Sequence, residues 1–240
     1  MILFFPDASY TKSCISPDLV YNRRREVMTV RILYTDRRIA VAVKPAGVLS
    51  VGDGMPALLR RELGTECFRT VHRLDAPVSG LMVLARSAAA ASLLSRQIRE
   101  GTFQKEYLAL VCGAPPESGA LQDLLGRDKT RGLTYVAAAP GKDVRPAALE
   151  YERLDSCKGV SLVRVRLITG RTHQIRVQFA SRGFPILGDG RYGTAADFPI
   201  ALWSYRLAFC HPESGEVMDF RLPPEPAPPW GDFADALASL

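Results

Sequence analysis

Two short stretches hold the side chains best suited to chemistry. In Val71-His72-Arg73-Leu74-Asp75-Ala76-Pro77-Val78-Ser79-Gly80-Leu81, one carboxylate, Asp75, stands beside a histidine and an arginine. A carboxylate so placed can act as a nucleophile, a base or an electrostatic partner. The second stretch, Gly170-Arg171-Thr172-His173-Gln174-Ile175-Arg176, packs two arginines, a histidine and an amide around an expected helix start, which suits a phosphate or a carboxylate. Taken alone, it also reads as a cationic helix face in water. Tyr107, in Lys105-Glu106-Tyr107, is by residue type more often half-buried strand core than a chemical group. Lys44-Pro45-Ala46-Gly47 is a plain strand-ending turn on local grounds.

Other chemistries fail on context. Gly188-Asp189-Gly190-Arg191-Tyr192-Gly193 fits the spacing G-x-G-x-x-G, but 194–199 reads as loop where a nucleotide-binding helix is needed. His72-Arg73-Leu74-Asp75 has an extra leucine between Arg and Asp relative to a kinase catalytic loop, and no Asp-Phe-Gly follows. Three histidines without HExxH spacing and five cysteines without a CxxC pair give no metal site and no disulfide framework, so no metal is expected and the thiols read as reduced.

The elements that must position these residues follow from pattern. Leu81 to Ala85 is short and apolar on both faces, as in a strand covered on both sides, which puts Asp75 near a sheet rim on a loop shaped by Pro77 and Ser79-Gly80. Strands over 30–34 and 39–43 flank a turn at 35–38. Ala57 to Leu63 is an expected helix closed by Gly64, and Ser87 is the expected N-cap of a helix to Arg99 with Gly101 behind it, Leu94 and Ile98 sharing a face. Lys105 to Val111 reads as a strand, 114–144 as a polar excursion punctuated by Gly and Pro, and 161–168 as a strand with Val163, Val165 and Leu167 on the core face and Arg164 and Arg166 on a basic one. Thr172 is expected to cap a helix from His173 to Arg182, with Ile175 and Phe179 facing inward. A hairpin over 202–209 and 216–222, a proline-rich run at 223–229 and a docked terminal helix over 230–240 complete the reading. Strands interrupted by helices without a regular βαβ cadence indicate an α+β fold with a mixed, mainly antiparallel sheet.

Composition sets the bounds. With 240 residues, 47% of them hydrophobic, the chain can bury a substantial core, and a net charge of +6 favours an anionic partner such as nucleic acid. No run approaches the about 18–20 apolar residues of a membrane helix, and Pro6 and Asp7 break the apolar start, so neither a membrane partner nor a secretory signal is expected. Patterned sequence begins near Thr29, just after Met28. The expected organisation is therefore an extension over 1–28, disordered or an over-called start, a folded domain over 29–224, and a tail or short helix over 225–240.

In this order, Lys44-Pro45-Ala46-Gly47, HRLDxxxSGL at His72 to Leu81, Lys105-Glu106-Tyr107, GRTHQIR at Gly170 to Arg176, Gly188-Asp189 with Tyr192-Gly193, and His211-Pro212 with Gly215-Glu216 resemble the RluA-type family of pseudouridine synthases. The resemblance spans about residues 30–224, departs from the common pattern at Val78, where many members carry Thr, and leaves only 43 residues before Lys44, so a stand-alone catalytic domain without an S4 RNA-binding domain is expected. It implies the pseudouridine synthase fold and an isomerase, acting in the cytoplasm as a monomer on structured RNA, rRNA or tRNA, with no cofactor. It also implies roles. Asp75 would attack C1′ or remove the 2′ proton, Arg176 would hold it ionised and oriented, and Tyr107 would stack on the flipped uracil and exchange a proton at C5. Ile175 would pack on the base and Arg73 would fill the gap it leaves, while Arg171, His173, Arg164 and Arg166 would contact the RNA backbone. The alternatives are a non-catalytic RNA-binding factor on the same scaffold and an RNA N-glycosidase.

Overall fold

A hairpin opens the structure, a computed structural model describing residues 29–65 and 67–240. The expected extension over 1–28 lies outside those residues. Strands β1 (Ile32–Thr35) and β2 (Ile39–Lys44) pair antiparallel, and Asp36 holds their turn by accepting from the backbone N–H groups of Arg38 and Ile39 at 2.7 and 2.8 Å. Helix α1 (Met55–Leu63) starts two residues earlier than Ala57 because Pro56 is tolerated in its first turn. A two-residue strand β3 (Arg69–Thr70) leads through the Asp75 loop into β4 (Ser79–Ala85). Helix α2 (Ala88–Glu100) has the expected caps. Ser87 accepts from the Ala90 N–H at 3.1 Å, and Gly101, at φ 75°, closes the other end.

The strands β5 (Gln104–Cys112), β6 (Ser118–Asp128), β7 (Leu133–Val136), β8 (Arg145–Cys157) and β9 (Val160–Leu167) come next. Helix α3 (Gln174–Ala180), the hairpin of β10 (Leu202–Cys210) and β11 (Val217–Arg221), and a single 3₁₀ turn (Gly231–Phe233) running into α4 (Ala234–Ala238) complete the chain. The sheet order is β1-β2-β4-β10-β5-β9-β8-β6-β7, with β11 added to β10 and β3 to β4. Among the described residues every pairing is antiparallel except the short parallel junction of β4 with β10, where Ser79 and Gly80 lie against Trp203 and Ser204. The fold is therefore α+β with a mixed, mainly antiparallel sheet, as the pattern predicts.

That junction explains one glycine of the Ser79-Gly80-Leu81 motif. Gly80 has φ 115°, and a Cβ there would lie 2.5 Å from the backbone N and O of Ser204. Only glycine lets the two central strands approach this closely.

Alternation distributes the core over both faces. Leu81, Val83 and Ala85 of β4 join Leu94 of α2 and Phe103, while Met82 and Leu84 join Met55 and Leu59 of α1. Tyr107, Ala109 and Val111 of β5 pack with Ile175 and Phe179 of α3, whereas Leu108 and Leu110 pack with Trp230, Phe233 and Leu237. The terminal turn thus covers one face and α3 the other.

Three expectations change. The excursion over 114–144 contains β6 and β7, and 145–157 forms the long β8 that the charged run Glu150 to Asp155 disguised. Ala147, Leu149 and Tyr151 are buried at period two, while Glu150 and Glu152 point outward to pair with Arg166 and Arg164 across the ladder. The outer face of β9 is accordingly a lattice of paired charges and not a basic surface. The helix after Gly170 is shorter than 173–182, and Thr172 is not its cap. His173 occupies the cap position at φ 54° without a side-chain cap, and the turn is closed by the Gln174 Oε1, which accepts from the Arg171 N–H at 2.9 Å and the Thr169 hydroxyl at 2.8 Å.

Candidate active site

The backbone on either side of Asp75 is fixed before the side chain is considered. The Ser50 hydroxyl donates to the Leu74 carbonyl at 2.7 Å and accepts from the Leu74 N–H at 2.9 Å. Lys44, fully buried, donates through Nζ to the carbonyls of Ala76 and Pro45, both at 2.9 Å, and of Val48 at 2.6 Å. Burial draws its ammonium down to about 8, against the opposing field of Asp75. Lys44-Pro45-Ala46-Gly47 is therefore more than a turn, because its lysine ties the end of β2 to the loop carrying Asp75, with the Gly47 N–H donating to Ala76 as well at 2.8 Å.

The Asp75 carboxylate meets Arg176 from α3, whose Nη1 donates to Oδ2 at 3.0 Å. The opposite edge of the same guanidinium is held by Asp189, which accepts from Nε at 2.8 Å and from Nη2 at 2.7 Å in a bidentate pair. Asp189 also accepts from the backbone N–H groups of Arg191 and Tyr192. Burial opposes the charges on Arg176 and Asp189, but their mutual contact prevails. The arginine is pushed further into its cationic form and the Asp189 carboxyl is held below the usual carboxylate range. The Arg176 and Asp189 side chains are 3% and 0% exposed, whereas Asp75 is 23% exposed, so the triad opens to solvent at Asp75.

Asp189 is the residue that sequence reasoning missed. It lies in the Gly188 to Gly193 stretch, whose G-x-G-x-x-G spacing lacks the helix a nucleotide motif needs. The usable signal was a buried arginine in the helix motif needing a second anion, and Asp189 with Tyr192 was already part of the family pattern.

The other predicted residues divide into two groups. Tyr107 and Ile175 lie in one buried cluster with Leu74 and Val78, the residues flanking the Asp75 turn. Burial and then the negative field of Asp75 push the Tyr107 phenol above its ordinary range. His173 is turned inward, its Nε2 3.8 Å from the Asp75 Oδ2, so the expectation of a backbone-phosphate contact gives way to a neighbour of the carboxylate. Arg73 and Arg171 are exposed, and Arg171 donates through Nε to the Pro146 carbonyl at 3.0 Å. Arg164 and Arg166 are paired with Glu152 and Glu150 and stand apart from this group.

Lys105 adds a cation that the sequence reading passed over. It shares a face of β5 with Tyr107, is half-buried, and has no hydrogen-bond or ion-pair partner among the described residues. Its Nζ lies 3.3 Å from the position a Cβ on Gly170 would take. Nearby His72 accepts from the Val83 N–H at 3.1 Å, and burial followed by the field of Lys105 drops its pKa to about 3. It is a neutral core histidine.

A family profile described as RNA pseudouridylate synthase matches residues 38–181. A protein of Chloroflexus aurantiacus named "Uncharacterized RNA pseudouridine synthase" is 41% identical over 157 residues, covering 64% of this chain and 49% of its own length, so the chain spans about half of that relative. The "Dual-specificity RNA pseudouridine synthase RluA" of Salmonella typhi is 35% identical over 215 residues, covering 85% of this chain and 96% of its own. Among solved structures, the human RNA pseudouridylate synthase domain containing 1 superposes with a TM-score of 0.73 at 25% identity, covering 88% of this chain and 96% of its own.

Proposed function

The chain belongs to the RNA pseudouridylate synthase family, and we propose that it converts uridine in structured RNA, rRNA or tRNA, to pseudouridine. The observation that carries this reading is the half-open Asp75 carboxylate backed by a buried arginine that is anchored from behind by Asp189. The relative named for dual specificity on RNA supports the substrate class. The reaction breaks the N1–C1′ bond, turns the uracil and joins C5 to C1′, with the C5 proton lost and N1 gaining one. Atoms balance, and no cofactor enters.

Breaking the glycosidic bond builds positive charge on the sugar, which a carboxylate stabilises or traps. Asp75 supplies that carboxylate, either to C1′ or to the 2′ proton, and Arg176 fixes its direction. Tyr107 and Ile175 form the wall against which the extruded base lies. Stacking contributes about 1–3 kcal/mol per base, comparable to the few kcal/mol that extrusion costs. Arg73, exposed beside Asp75, takes the place vacated in the RNA, and its planar guanidinium can stack and bind phosphate together. Lys105 and Arg171 take backbone phosphates, with affinity that falls as salt rises. We place the reaction in the cytoplasm and in a monomer.

The test is Asp75→Asn. The variant is expected to fold and to bind RNA but to form no pseudouridine, read by carbodiimide primer extension on RNA from cells with and without the gene. Pseudouridine formation by Asp75→Asn overturns the assignment. Free uracil or an abasic site from the wild type indicates an N-glycosidase, and bound but unaltered RNA indicates a binding factor.

A further inference from the structure

His173 occupies a left-handed backbone conformation, φ 54°, that only one other non-glycine residue, Lys158, shares among the described residues. A side chain held in this conformation carries strain that recurs at functional sites. Here the twist aims the ring between two groups. Nδ1 lies 2.7 Å from the Tyr192 hydroxyl and Nε2 lies 3.8 Å from the Asp75 Oδ2.

The hydroxyl decides which nitrogen carries the proton. Tyr192 Oη accepts from the Thr134 backbone N–H at 2.7 Å, and of its two hydrogen-bond partners only His173 Nδ1 can take its proton. Nδ1 is then the acceptor and the neutral ring bears its proton on Nε2, toward Asp75. Burial, followed by Arg176 and Arg191 against the opposing Asp75 and Asp189, disfavours the imidazolium. The tyrosine is itself fixed, with its ring 5.2 Å from the Arg176 guanidinium carbon and edge-on to His173. Thr134 stands on β7, and its hydroxyl donates to the Thr172 carbonyl at 2.9 Å, so the β6–β7 hairpin is fastened to the residue preceding His173.

We propose that His173 is a second positioning residue for Asp75, neutral and protonated on Nε2, with that tautomer set by Tyr192 and the β6–β7 hairpin. Arg176 and His173 both address Oδ2, which leaves Oδ1 as the oxygen presented to the substrate. The 3.8 Å gap is longer than a hydrogen bond, and the proposed role requires it to shorten to one when substrate fills the site. This role rests on the proposed uridine isomerisation, whereas the tautomer itself does not.

Two measurements separate the parts. Long-range proton–nitrogen NMR on the wild type, which has only three histidines, is expected to show His173 as the Nε2–H tautomer at neutral pH and Tyr192→Phe as a mixture of tautomers. An Nδ1–H or imidazolium ring in the wild type overturns the proposal, as does an unchanged tautomer in Tyr192→Phe. The kinetic arm compares amides, since glutamine places its NH₂ near the Nε2 position and asparagine near Nδ1. His173→Gln is expected to keep kcat within about threefold, while His173→Asn loses about 10- to 100-fold with KM unchanged, the scale of a misplaced reacting group. Asparagine tolerates the left-handed conformation better, so a purely structural role gives the reverse order, and that order refutes the proposal. Absence of turnover by the wild type sinks the isomerase reading, with the NMR result still deciding the tautomer.

Discussion

Replacing Asp189 by asparagine tests whether Asp75 is oriented through a charge it never touches. Arg176 is 3% exposed and spends two of its three nitrogens on Asp189, at 2.8 and 2.7 Å, and one on Asp75, at 3.0 Å. Asparagine keeps the shape but removes the charge and turns one oxygen into a donor facing another donor. The buried guanidinium then has a single anion, and breaking one partner of a buried pair costs about 3–5 kcal/mol. The loss should appear in urea unfolding as a lower midpoint at unchanged slope. Turnover should fall as well, because the arginine recentres on Asp75 and draws the carboxylate out of line. The effect carries a pH signature. The folded-state pKa of Asp189 is depressed, so its contribution is complete above the ordinary aspartate value of about 3.9 and is lost as pH falls through the depressed value. The stability gap between wild type and Asp189→Asn should therefore be constant near neutrality and narrow below about pH 4. An unfolding free energy within about 1 kcal/mol of wild type at pH 7, with normal turnover, refutes the reasoning.

Tyr107→Phe keeps the buried ring and should bind RNA normally while losing proton exchange at C5; full turnover by that variant removes the chemical role of the hydroxyl. Gly80→Ala should lower stability by at least about 2–3 kcal/mol through strain at positive φ and collision with the Ser204 backbone, and an unchanged thermal midpoint counts against the close junction of β4 with β10. Lys105→Gln should make the plot of log affinity against log salt shallower by about 0.7–0.9 for one lost phosphate contact, and an equal slope removes Lys105 from the RNA surface.

What could be read in advance was whatever local chemistry encodes. Ser87 and Gly101 cap α2 because capping is decided within one turn, and the two-faced apolar run at Leu81 to Ala85 marks a central strand because burial on both sides leaves no other composition. Asp75 and Arg176 emerged together because their motifs are specific, though nothing in spacing alone says that residues so far apart in the chain meet. The failures share a cause. Lys44 resembles any turn lysine until three carbonyls surround it, and Asp189 resembles any loop aspartate until a buried guanidinium reaches it. β8 drew no strand expectation because outward carboxylates satisfied by Arg164 and Arg166 on another strand interrupt its apolar pattern, and Thr172 lost the cap to a side-chain contact made from Gln174. In each case a polar residue takes its meaning from a partner that only the tertiary fold supplies. Lys44 and Asp189 are the buried ones among them, where loss of that partner would cost several kcal/mol, so these two are the residues whose removal should disturb the Asp75 site most.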